Sequence, residues 1–117
     1  MGLRKSKYEI RDGVRIYPDG REVCLDDTKG GRIEYLRRIG AMCARQNNRC
    51  AICSEYLWIA TFDHGRARGM GAANRDDRIE VDGHPQNAAL CMKCNTKKGS
   101  VRYHWLNDQY VPRKEAA

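Results

Sequence analysis

The chain has 117 residues, 41% hydrophobic and 32% charged, with a formal net charge of +7 at pH 7 and a pI of about 9.3. That length suits one domain whose modest core gains from a staple. No apolar run approaches the length that spans a bilayer, and the opening "MGLRKSKYEIRDG" carries charge with no apolar stretch behind it, unlike a secretory signal.

Residues 8–25 contain two Asp-Gly pairs between segments that alternate apolar and polar residues, which predicts a β-hairpin or small meander. From about Arg32 to Gln46 the pattern is helical: Ile33, Leu36, Ile39, Met42 and Cys43 recur at helical spacing, with Thr28 or the glycines after it at the start and Gly40 weakening the middle. "YLWIATFDH", residues 56–64, is dense in β-branched and aromatic residues and predicts a strand. Residues 65–85 are rich in Gly, Arg and Asp and read as an extended loop, with a short strand at Ile79–Val81. A turn then leads into a short helix from about Met92, with Gly99 near its end. The last residues read as a frayed tail.

The basic residues are segregated. Residues 35–54 hold Arg37, Arg38, Arg45 and Arg49 with no acid, and residues 93–102 hold four more basic residues and again no acid. This suits a polyanionic partner, through release of counterions from phosphates, or a solvated basic surface.

Six cysteines without a secretion signal favour metal over disulfides. Cys50-x-x-Cys53 and Cys91-x-x-Cys94, with 37 residues between the pairs, have the spacing of a structural zinc site in which four thiolates close a tetrahedral shell. Cys24 and Cys43 lack such spacing and read as buried thiols.

In order along the chain come Cys50-x-x-Cys53, Asp63-His64, Asn87, Cys91-x-x-Cys94-Asn95 and Lys97-Lys98-Gly99-Ser100. On "TFDH", "QNAALC" and "CMKCNTKKGS" the chain resembles the HNH endonuclease family, in the four-cysteine zinc form common in phages and bacterial mobile elements. The match covers about residues 50–103, nearly half of the chain. The resemblance implies an α+β fold: a ββα-metal (His-Me finger) nuclease core stapled by the zinc site, preceded by an N-terminal β-hairpin and a helix. The single domain would divide into an N-terminal extension at 1–49, the nuclease core at 50–103 and a tail at 104–117.

The resemblance also implies roles. His64 would be the general base that activates water, and Asp63 a ligand of one catalytic divalent cation. Asn87 would hold the His loop and orient His64, and Asn95 would be the second protein ligand of that cation. An amide oxygen at Asn95 favours magnesium or manganese over softer metals. Strand neighbours point to opposite faces, so Asp63 and His64 can serve one site only across a kink or strand end. The chain departs from the commoner form in two places: Gly65 stands where a large aliphatic is usual, and three rather than four residues separate Asn87 from Cys91.

Plainer roles also suit these residues. Asn87 follows Pro85-Gln86 as a turn residue would, Asn95 suits a helix cap, His84 and His104 read as ordinary, and Trp58 and Trp105 read as core or zinc-site packing.

Under the nuclease reading DNA is the partner, and Arg66, Arg68, Arg75, Arg78, Lys97 and Lys98 are the candidate phosphate contacts. A cytoplasmic setting in a bacterial host, with phage or mobile-element partners, follows from the resemblance alone. The competing readings are a zinc-stabilised nucleic-acid-binding module without cleavage and a structural or assembly protein.

Overall fold

The computed structural model describes residues 7–64 and 75–113. Asp12 and Gly13, with φ of 53° and 80°, form the two-residue turn between strands β1 (Glu9–Arg11) and β2 (Val14–Ile16). Positive φ at both positions matches the right-handed twist of the paired strands. A five-residue loop around Gly20 returns the chain as β3 (Glu22–Cys24), completing an antiparallel meander in the order β1-β2-β3.

Helix α1 (Lys29–Arg45) begins at Thr28, whose hydroxyl accepts the Gly31 N–H at 2.9 Å and donates to the Leu25 carbonyl at 2.9 Å. The helix start presses on the meander backbone to backbone. A Cβ on Gly31 would lie 1.9 Å from the Leu25 oxygen, so only glycine fits there. At the other end Asn47 and Asn48 take left-handed φ of 58° and 59°; their N–H groups return to the Ala44 and Cys43 carbonyls at 3.2 and 2.7 Å, closing a Schellman turn.

The apolar period misplaced the inner face of α1. Ile33 and Leu36 are exposed, while Tyr35, Arg38, Ile39, Met42 and Cys43 face inward. An arginine sits on the inner face because its guanidinium is consumed there. Arg38 donates to Glu34 at 2.8 Å, to Glu22 at 2.7 Å and to the Asp77 carbonyl at 3.2 Å.

The central unit is β4 (Thr61–Asp63) paired antiparallel with β7 (Ala88–Leu90), followed at once by α2 (Met92–Lys98), which packs on β4. Met42, Leu57, Phe62, Ala88, Ala89, Leu90 and Tyr110 form the core around this pair. The strand expected over 56–64 shrinks to three residues. The Leu57 N–H bonds to the Asn48 carbonyl at 2.7 Å, Leu57 turns inward, and Trp58 is left 87% exposed. Trp58 is therefore neither core nor zinc-site packing. Trp105 does pack on the core, and its indole N–H donates to the Asn87 carbonyl at 3.0 Å.

Strands β5 (Glu80–Val81) and β6 (His84–Pro85) form a hairpin one residue from the expected Ile79–Val81 strand, turned by Asp82-Gly83. Most of the segment expected as a tail folds. β8 (Tyr103–Leu106) and β9 (Gln109–Pro112) pair through a turn at Asn107 and Asp108, both at positive φ, and Tyr110 is buried. The described residues form a small α+β fold of two helices and short sheets. No helix among the described residues is long and apolar enough to cross a membrane.

Candidate functional site

The four cysteines of the two spaced pairs converge. The sulfurs of Cys50, Cys53, Cys91 and Cys94 all lie within 4.8 Å of one another. A tetrahedral zinc–thiolate shell has sulfurs about 3.8 Å apart, and Cys53 and Cys91 are 3.9 Å apart. Backbone N–H groups of Ile52 and Cys91 point at the Cys50 sulfur at 3.4 Å each, and Cys91 caps α2 by accepting the Cys94 N–H at 3.4 Å. Burial would raise the Cys50 thiol, but backbone donors from Cys53, Cys91 and Ile52 bring it down to about 7. Burial and the neighbouring sulfurs push Cys94 up to about 12. Four crowded thiols resist ionising together unless a cation joins them, so the donor set suits a metal such as zinc. Cys24 lies apart in β3, its thiol raised to about 11 by burial. Cys43 is partly buried against the core.

Strand β4 divides the other candidates between its two faces. Thr61 and Asp63 face α2 and the β8–β9 hairpin. Phe62 and His64 face α1, where Phe62 stacks on Tyr35 and His64 stacks on Phe62 with centroids 4.4 Å apart. The period-two alternation persists through His64, so the neighbouring Asp63 and His64 point apart.

On the first face the Asp63 carboxylate is buried and doubly engaged. Lys98 Nζ lies 3.0 Å from Oδ1, with both side chains 8% exposed, and the Tyr110 hydroxyl donates to Oδ2. Burial, and then the Asp63 charge, holds the Tyr110 phenol well above its ordinary pKa, so it stays a donor. Asn95 lies on the same face: its Nδ2 donates to Thr61 Oγ1 at 2.8 Å, and its Oδ1 accepts no hydrogen bond among the described residues. Oxygen donors from Asp63 and Asn95 have the chemistry for a hard cation, and the Lys98 ammonium stands in for one.

On the second face His64 Nε2 is 2.6 Å from Asp77 Oδ1. Asp77 is fully buried; it also accepts from Arg75 Nε and Nη2 at 2.9 and 2.8 Å and from the Cys24 N–H at 2.8 Å. Burial opposes its ionisation, yet donors from His64, Arg75 and Cys24 outweigh that and hold the carboxyl well below its usual range. A carboxylate at Nε2 requires the proton there, so neutral His64 carries its lone pair on Nδ1. A pocket of about 150 Å³ opens beside it, lined by Asp26, Tyr35, His64 and Arg75. A larger groove of about 760 Å³, lined in part by Arg45, Arg49 and Trp105, contains none of the predicted catalytic side chains.

Asn87 is buried and spans the segment that carries Asp77. Its Nδ2 donates to the carbonyls of Asp76 at 2.8 Å and Arg78 at 2.6 Å. These bonds brace the segment on either side of Asp77, the partner of His64. The N-terminal meander holds the same segment from the other side: the Asp77 N–H donates to the Glu22 carbonyl at 2.6 Å, and Asp76 accepts the Glu22 N–H at 3.1 Å.

The candidate phosphate contacts fare unequally. Arg75 is paired with Asp77, Arg78 with Asp76 at 2.8 Å and Lys98 with Asp63, because buried carboxylates consume these cations. Lys97 is exposed. Arg66 and Arg68 lie outside the described residues. Asp76, Asp77 and Tyr110 were missed from sequence. The signal for the acids was present in "RDDR": in extended chain, residues two apart share a face, and Arg75–Asp77 and Asp76–Arg78 pair in that way. Comparison with protein-family models, with curated proteins and with solved structures gives no match.

Proposed function

We propose that the chain is a metal-dependent endonuclease of the HNH type, hydrolysing DNA phosphodiester bonds with His64 as general base. The observation that carries this reading is the His64–Asp77 pair, which fixes the imidazole and leaves Nδ1 without a hydrogen bond among the described residues, beside a pocket rimmed by Arg75. A neutral imidazole held in that tautomer accepts a proton from water near pH 7. The pocket has room for that water.

The chain order β4, β7, α2, with a cysteine pair at each root, supports the ββα arrangement the resemblance implies. Asp63 and Asn95 would hold magnesium or manganese on the face of β4 opposite His64; β4 ends at Asp63, so a phosphate that meets both that cation and His64 must lie across the strand end, where the cation when bound would supply charge neutralisation at the phosphate and the leaving 3′ oxygen. Arg75 Nη1, which makes no hydrogen bond among the described residues, is a donor at this pocket for a phosphate oxygen.

A second reading, a zinc-stabilised nucleic-acid-binding module without cleavage, draws on another observation. Tyr56 and Trp58 pack together with centroids 4.7 Å apart and are exposed near Arg49, as a base-stacking surface would be.

A nicking assay on supercoiled plasmid separates the two. Zinc-loaded protein and a folded His64→Ala variant are compared with added magnesium or manganese. Cleavage by the unmutated chain alone supports the nuclease. Binding without cleavage at matched salt supports the module, and equal cleavage by both proteins refutes His64 as the base.

A further inference from the structure

The Asp63 cluster contains more than a resting acid. Its side chain is 8% exposed, and both oxygens are engaged, one by an ammonium and one by a phenol. Lys98 arrives from the last turn of α2, and Tyr110 from β9. Asn95 lies one helical turn before Lys98, on the same face of α2, and is held to β4 through Thr61. Asp63 and Asn95 thus offer oxygen donors of the kind a divalent ion takes from the same side of β4, and a covalently tethered cation already stands on Asp63.

We propose that Lys98 is a competing internal cation: it neutralises Asp63 while no divalent ion is bound, and a divalent ion enters only by displacing it. The inference rests on the assignment of Asp63 and Asn95 as a cation site, and adds the group that sets its affinity. A buried carboxylate with no counter-charge is costly, so the fold needs some cation at Asp63. Lys98 supplies it from within the chain. Its tether makes the exchange reversible: Nζ also donates to the Val101 carbonyl at 2.9 Å, a contact that holds the ammonium beside the site as it leaves Asp63. Divalent affinity is then reduced by the work of breaking the Lys98 contact, as for any ligand that binds a minor state.

The test is manganese binding to zinc-loaded protein without DNA, followed by electron paramagnetic resonance. Lys98→Met should bind one manganese at least tenfold more tightly than the unmutated chain. Asp63→Asn combined with Lys98→Met should lose that binding. A parallel measurement on the unmutated chain does not depend on the variant folding. Amine-modifying reagent should label Lys98 slowly without manganese and faster with it, while labelling of Lys97 stays constant.

Manganese binding by Lys98→Met no tighter than by the unmutated chain overturns the proposal. So does manganese binding that leaves Lys98 labelling unchanged, and so does failure of both proteins to bind manganese. Because no step involves DNA, binding as expected without plasmid cleavage would sink the nuclease reading and leave this one standing.

Discussion

Asp77→Asn tests the centre of the structural argument. The side chain is fully buried and accepts donors from His64, Arg75 and the Cys24 backbone. Asparagine keeps the shape but removes the charge, and it turns one acceptor oxygen into a donor facing other donors. Breaking one partner of a buried ion pair costs about 3–5 kcal/mol. Arg75 is 25% exposed and recovers some hydration, which lowers the expected loss to about 2–4 kcal/mol. At about 4 °C per kcal/mol for a domain of this size, Tm should fall by about 8–16 °C. Calorimetry of zinc-loaded protein at pH 7 measures it. Glu9→Gln, which breaks an exposed pair with Arg11, is the control and should leave Tm unchanged. If Asp77→Asn melts within about 2 °C of the unmutated chain, the account of how the N-terminal meander, the 75–78 segment and His64 are joined is wrong.

Acid should expose the same carboxylates. Asp76 and Asp77 are held below their ordinary pKa, so their stabilisation is complete above the unfolded value of about 3.9 and is lost as pH falls through it toward the folded value; Tm should drop below about pH 5, less steeply in Asp77→Asn, and parallel curves would refute the assignment. Two glycines of α1 should respond in opposite ways: Gly40→Ala, with nothing within 4 Å of its new methyl, should stabilise by about 0.5–1 kcal/mol, whereas Gly31→Ala should destabilise strongly because its methyl meets the Leu25 carbonyl. Denaturant melts distinguish these, and a neutral Gly31→Ala would refute the close approach. Purified protein should hold one zinc per chain; Cys94→Ala should lose both the zinc and the cooperative melt, and a chelated chain that melts like the loaded one would show the cluster to be dispensable.

Local signals were legible. The Thr28 cap, the Asp-Gly turn of the meander, the start of α2 at Met92 and the cysteine pairing all stood in the sequence, because each depends on residues within a few positions or on a repeated spacing. What was hidden depends on contacts remote in sequence. Arg38 looked like surface charge, and only its partners Glu22 and Asp77 explain its burial. The 103–112 hairpin lacks a glycine turn, and its reason to fold is Tyr110 reaching Asp63, which lies 47 residues away. The pairing of Asp63 and His64 as neighbours suggested a single site, and the strand alternation between them was the local fact that argued otherwise.

That alternation makes β4 a wall three residues long and one strand thick. On one side stands His64 with Asp77; on the other, Asp63 with Lys98 and Tyr110. The two groups share no hydrogen-bond partner among the described residues. Their perturbations should therefore add in a double-mutant cycle, to within about 0.5 kcal/mol in stability. Under the roles proposed above, such a chain can retune His64 without disturbing Asp63, and the reverse, since each change is confined to its own side of one short strand.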